Sequence, residues 1–129
     1  MASIQPARNE HLDAVAALEA VTFPEDAISK RSFRRFIESP SADFQVLLFE
    51  EKVIGYTVVL YRNNTNLARL YALVVEKEHR SKGYGRRLLQ AAEDLADERH
   101  SLFLRTEVAT SNTVGQQLMN SEGFRAIEL

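Results

Sequence analysis

The stretch "LYALVVEKEHRSKGYGRRLL", residues 70–89, changes character twice. It opens with an apolar run, Leu70 to Val75, passes through a charged segment, and reaches Gly83 and Gly85 among Arg80, Lys82, Arg86 and Arg87. From there Leu88, Leu89, Ala92, Leu95 and Ala96 fall on one stripe of a helix that runs to about Glu98. The reading is strand, loop, helix. The nearly continuous apolar segment 67–75 predicts a strand buried on both faces. A helix start carries unpaired N–H groups and about half a positive charge. Glycine there permits positive φ and close approach of a ligand. Together these make a cradle for an anion, most often a phosphate.

Two familiar phosphate loops do not fit. A dinucleotide fingerprint needs a third glycine where Leu88 stands, and an acidic ribose partner about 20 residues on, where Phe103 and Arg105 stand. A P-loop needs G-x-x-x-x-G-K-[ST], which the chain lacks. Taken alone, the glycines also suit a tight turn, and the arginines a solvated helix face.

Outward from this stretch the chain organises simply. Residues 3–8 form a short strand that Pro6 places at an edge or an end. Leu12, Val15, Ala16 and Leu18 give a first helix, with Asn9 as its cap. Phe33, Phe36 and Ile37 give a second, capped by Ser29. Residues 43–63 are a hairpin turning at Glu51-Lys52. Residues 101–108 read as a strand, 111–122 as a helix ended by Gly123, and 124–129 as the start of a last strand. The order is β-α-α-β-β-β-α-β-α-β. The β-α-β passage 67–107 makes two parallel neighbours by a right-handed crossover, and the earlier hairpins are antiparallel. The fold class is an α/β mixed sheet with helices on both faces.

The bulk numbers set bounds. The 129 residues are most simply one domain, 1–129. With 45% apolar residues the chain buries a core without disulfides or metal. It has no cysteine, hence no thiol nucleophile, and three scattered histidines make no metal site. A formal charge of −2 gives no global reason to expect nucleic acid or a membrane surface. No membrane span and no signal-peptide core are read, so the expectation is a cytoplasmic protein.

The segment Arg80-Ser81-Lys82-Gly83-Tyr84-Gly85 resembles the R/Q-x-x-G-x-G/A signature of the GCN5-related N-acetyltransferases. A second block, "LRTEVATSNTVGQQLMNSEGF", is similar to that family's next strand and helix, with Asn112, Gly115, Leu118 and Gly123-Phe124 in its pattern. Within the family, "TEVATSN" looks nearest the ribosomal-protein-alanine N-acetyltransferase branch. The likeness implies a mostly antiparallel sheet with a central parallel pair whose strands splay around acetyl-CoA. It implies that Leu73, Val74 and Val75 offer backbone groups to the pantetheine, one N–H also polarising the thioester carbonyl. It places the pyrophosphate on Arg80, Ser81, Lys82, Gly83, Tyr84, Gly85 and Arg86, and a contact from Asn112. It gives Glu107 the part of general base toward an amine acceptor, a protein N-terminus or a small amine such as a polyamine or amino sugar. No metal is implied.

The sequence departs from the family twice. Met119 stands where many members carry a tyrosine that protonates the departing thiolate, and a thioether donates no proton. Water or Tyr61, Tyr71 or Tyr84 are the substitutes. The final strand of the usual C-terminal hairpin is missing, so the chain is read either as part of something longer or as having an open edge that a second copy covers as a homodimer. Both departures keep open an acetyl-CoA-binding module with little turnover. At the boundary of the first two helices, Phe23 and Pro24 offer an apolar wall and Glu25 and Asp26 a pull on a cationic amine; the plainer alternative turns Phe23 inward.

Overall fold

The computed structural model describes residues 1–62 and 66–106. Five strands form one sheet in the order β1-β2-β3-β4-β5: Ala2–Pro6, Ala42–Phe49, Lys52–Tyr61, Leu67–Val75 and Phe103–Thr106. Neighbours are antiparallel except β4 and β5, which run parallel from Leu67↔Phe103 to Leu70↔Thr106. The helices are α1 (Leu12–Thr22), α2 (Lys30–Glu38) and α3 (Tyr84–Glu98). The expected order therefore holds from β1 through β5, and the expected helix 111–122 and last strand lie outside the described residues.

The sheet is covered on both faces. Against α1 and α2 it presents Phe44, Val46, Tyr56, Val58 and Val74, which meet Leu12, Val15 and Phe33. Against α3 it presents Val59, Ala68 and Leu70, which meet Leu89, Ala92 and Ala96. A neighbouring cluster joins Leu47, Ile54 and Val75 to Leu88. The α3 stripe read from the sequence is thus the buried one. Ser29 caps α2 as expected, its Oγ accepting from Ser32 N–H at 3.1 Å.

Four local expectations are corrected. Asn9 does not cap α1: Asn9–His11 is a 3₁₀ turn, in which Arg8 N–H donates to His11 Nδ1 at 3.0 Å. The hairpin turns at Glu50-Glu51, one residue earlier than expected, with both residues at positive φ (51° and 67°). Two-residue hairpins require that handedness, which glycine and asparagine usually supply. β4 is not buried on both faces throughout. Leu67, Arg69 and Tyr71 are exposed and Ala68 and Leu70 buried, and only Val74 and Val75 are consecutively buried. Phe23 is not turned inward but is 44% exposed.

A bulge explains the change of pattern along β4. Val58 pairs with Ala72 but Val59 with Leu70, so Tyr71 is the extra residue. Leu70 and Leu73 face α3, while Ala72 joins the α1/α2 core and the Tyr71 ring lies 5.7 Å from Phe36 of α2. The bulge thus turns two consecutive side chains toward the same helices.

Candidate active site

The site lies where β4 ends and α3 begins. Glu76 N–H donates to Ile54 O at 2.7 Å, which fixes the phase of the β3–β4 ladder. Counting back, Val74 directs its peptide groups to Tyr56 on β3, and Leu73 and Val75 direct theirs away. Of the three residues expected to offer backbone groups, Val74 is therefore committed within the sheet. Its carbonyl sits so near β3 that a Cβ on Gly55 would lie 2.7 Å from it. Only glycine allows that approach. On the other side, pairing with β5 among the described residues stops at Leu70↔Thr106.

The chain then leaves the strand through a charged turn. Glu76 is held between Lys52 Nζ (3.7 Å) and His79 Nδ1 (3.4 Å). His79 is wedged between the rings of Phe49 and Tyr84, at 5.4 and 6.4 Å. Glu76 is thus matched locally by Lys52, while Glu78 of the same turn is exposed. Arg80 is exposed, but its Nε donates to Val75 O at 2.9 Å. This guanidinium ties the loop to the strand and brings its remaining N–H groups to the same spot.

Next come two left-handed residues, Ser81 (φ 65°) and Gly83 (φ 83°), the second being the N-cap of α3. Reversals of backbone hand turn successive N–H groups inward, the geometry of an anion-binding nest. Arg87 N–H is the first to find a helical acceptor, Gly83 O at 3.1 Å. The N–H groups of Gly83 to Arg86 precede it and have none inside the helix. A Cβ added at Gly83 would meet nothing within 4 Å, so the cradle is open. Gly85 lies within the helix and needs no positive φ. The second left-handed position expected of the glycine pair falls on Ser81. Ser81, Lys82 and Arg86 are exposed at the rim, and Tyr84 is half-buried. Arg87 reaches back to Ala2 O at 3.2 Å and lies over the Tyr84 ring at 5.9 Å. An open cradle of amides with cations around it suits a polyphosphate anion.

The three candidate tyrosines separate. Tyr61 donates to Asp43 Oδ2 at 2.6 Å and lies under Arg99; burial, then Asp43, holds its phenol well above the usual range. It belongs to the far end of the sheet. Tyr84 belongs to the phosphate cradle. Tyr71, 39% exposed, stands at the bulge two residues before Leu73, with the Arg69 guanidinium 5.3 Å from its ring centre. Glu107, Asn112 and Met119 lie outside the described residues. Among those described, no cluster of potential metal ligands occurs and no helix is long and apolar enough to cross a membrane.

Sequence reading missed one buried group. Glu19 of α1 is 2% exposed. One carboxylate oxygen accepts the Tyr56 hydroxyl and the other accepts Ile28 N–H at 2.8 Å. Burial, and then the bond to Glu19, holds the Tyr56 phenol far above its ordinary value. The carboxylate thereby pins the α1–α2 connection, Phe23 to Ser29, onto the strand that backs Val74. The signal was present: Leu12, Val15 and Glu19 share one helix face.

These features have a counterpart among known proteins. The chain belongs to the acetyltransferase (GNAT) family, whose sequence profile matches residues 12–124. A relative from Bacillus subtilis (strain 168), provisionally named a ribosomal-protein-bS18-alanine N-acetyltransferase, is 24% identical over 124 residues, covering 96% of this chain and 81% of the relative. The crystal structure of the ribosomal-protein-S18-alanine N-acetyltransferase of Escherichia coli superposes with a TM-score of 0.85 at 22% identity, over 99% of this chain and 80% of that one. The PaiA N-acetyltransferase of Thermoplasma acidophilum, solved in complex with coenzyme A, gives 0.88 at 19% identity, over 100% and 92%. The chain thus has the GNAT fold: among the described residues, a mixed sheet with one parallel pair and helices on both faces, β5 being short.

Proposed function

We propose that residues 1–129 form one N-acetyltransferase domain that moves the acetyl group of acetyl-CoA to a primary amine, with a protein N-terminus as acceptor. The observation that carries this is the open amide cradle, Ser81 to Arg86, set directly beyond a strand end whose Leu73 and Val75 peptide groups turn away from β3. Bound acetyl-CoA supplies an activated thioester. The cradle takes its pyrophosphate, with Arg80 and Lys82 neutralising charge at the rim. Leu73 and Val75 offer amide contacts along the opening. The Leu73 N–H is the donor best turned to receive charge that develops on a carbonyl oxygen.

An alkyl amine is mostly protonated near neutrality, so attack requires a proton acceptor. Glu107, which follows Thr106 directly in the chain, is our choice of general base, on its sequence position alone. Asn112 is proposed as a cofactor contact on the same basis. Met119 supplies no proton to the leaving thiolate. Because a thiol's pKa is near 8.5, the thiolate leaves near neutrality with little help. Tyr71 is the described phenol that stands beside the opening. The branch likeness favours a polypeptide N-terminus, and the exposed Glu25 and Asp26 suit a cationic amine.

A thermal-shift series with acetyl-CoA, CoA, NAD and ATP tests the cofactor: only the two CoA species stabilise the protein, and no shift with either ends the proposal. Mass spectrometry of a peptide and amine panel then tests transfer. Glu107→Gln lowers kcat by about 10² to 10⁴. Full activity in that variant removes Glu107 from the mechanism.

A further inference from the structure

The cofactor reading fills the opening from the Gly83 end as far back as Leu73. An acceptor then has to approach from the opposite direction, past Tyr71 toward the start of β4. On that side, on the α2 face of the sheet, lies an open groove of about 520 Å³, lined by Arg35, Phe36, Glu38, Leu60 and Tyr61 among others. It joins the bulge directly, since Phe36 packs against Tyr71 and Leu60 is the register partner of Arg69. Its floor is apolar and aromatic. Its lining holds one cation, Arg35, and one acid, Glu38, so any surplus of positive charge comes from the helix beside it.

The helix above the groove adds to this. Within nine residues α2 carries Lys30, Arg31, Arg34 and Arg35. Lys30 is paired with Asp13. Among the described residues Arg31, Arg34 and Arg35 make no ion pair, and all three are exposed. Arg31 lies three and four residues before the others, so the like charges oppose one another on a single flank of the helix. A chain of net charge −2 thus concentrates positive charge beside this groove.

We infer that the groove receives the stretch of a polypeptide acceptor that follows its reacting amine, and that it selects acidic residues there. The inference rests on the acetyltransferase reading above and deepens it. The amine end meets Glu25, Asp26 and the reaction centre. The following residues lie over Phe36 and Leu60, with carboxylates toward Arg35 and the exposed arginine flank of α2. Acceptor choice is thereby a matter of charge pattern, positive at the terminus and negative a few residues on.

The test is a set of peptides with one common first residue and with Glu, Gln or Lys at the third to sixth positions, acetylated by the full chain at low and high salt. The expected order of kcat/KM is Glu over Gln over Lys, with roughly three- to tenfold between neighbours, shrinking as salt rises. Arg35→Glu inverts the order while keeping the acetyl-CoA thermal shift. If that variant does not fold, Arg35→Gln flattens the series. Equal kcat/KM across the three peptides, or an unchanged order in a folded Arg35 variant, overturns the inference and leaves the acetyltransferase reading standing. Acetylation of small amines but of no peptide overturns it together with the protein-acceptor reading. An RNA oligonucleotide that binds through Arg35, with no preference among peptides, overturns it in favour of a nucleic-acid surface.

Discussion

The two ends of α3 hold similar groups and treat them in opposite ways. At the N-terminus the backbone turns left-handed twice, the first amides have no helical acceptor, and a Cβ on the capping glycine would point into empty space. At the C-terminus the polar groups are matched. Arg99, the C-cap residue, bonds Asp43 through Nε and Nη2 at 3.1 and 3.0 Å and Pro40 O through Nη1 at 2.8 Å, with its guanidinium 4.1 Å from the Tyr61 ring centre. Asp43 also accepts the Tyr61 hydroxyl. One end is completed by its own fold; the other is left open, and in our proposal acetyl-CoA completes it. Amides at the exposed N-terminal end are met by water and stay accessible to a ligand; the matched clamp contributes stability continuously.

Separating stability from affinity breaks or sharpens that contrast. The largest effect is expected from Asp43→Ala, which strands Tyr61 and Arg99 together. Unfolding free energy falls by about 2 kcal/mol, roughly 5–10 °C in Tm. The acetyl-CoA dissociation constant, measured by calorimetry, stays within about twofold. A large affinity change would mean that the two ends are coupled.

Gly83→Ala comes next, with the reverse signature. A left-handed position costs an L-residue about 1–2 kcal/mol, so the loop relaxes to another conformation and the competent form becomes a minority. Affinity for acetyl-CoA falls on the order of tenfold, with a smaller change in Tm. A Tm loss with affinity intact would show that Gly83 serves only the turn.

Two buried phenols, one of them in the clamp, also set a pH limit. Tyr56 and Tyr61 are both held above the free phenol value, so above about pH 10 the folded chain binds more protons than the unfolded one. Stability is therefore full below pH 10 and declines as pH rises beyond it. Chemical denaturation at several alkaline pH values shows the decline, and Asp43→Ala reduces the part due to Tyr61. The smallest effect is a gain: Ser81→Gly relieves one left-handed residue and raises stability by about 0.5–1 kcal/mol. A loss of that size would assign the Ser81 side chain a structural contact.

How much of this was legible follows from what each residue shows in one dimension. The α3 stripe, the Ser29 cap and the parallel β4–β5 pair were readable because spacing and caps are local. The cradle was readable as glycines before a helix, but its second left-handed residue, Ser81, carries no glycine to announce it. Glu50 and Glu51 hid the hairpin turn in the same way. Glu19 was hidden by its type, since a glutamate on a helix reads as solvent-facing until Tyr56 and Ile28 supply its partners from 37 and 9 residues away. The arginines of α2 were visible as residues, but the groove beside Arg35 arises only when α2 meets β3 and β4.

The extra residue in β4 has a further consequence. On either side of Tyr71 the strand is two shorter ones joined half a repeat out of step. Before the joint, Ala68 and Leu70 serve the α3 core; beyond it, Val74 serves the α1 and α2 core while Val75 serves α3. Removing Tyr71 alone would leave Leu70 opposite Val59 and Ala72 opposite Val58 in a regular ladder, with both faces kept and the ring at the opening lost. One residue that belongs to neither half sets an aromatic ring at the edge of the opening without disturbing the pairing on either side.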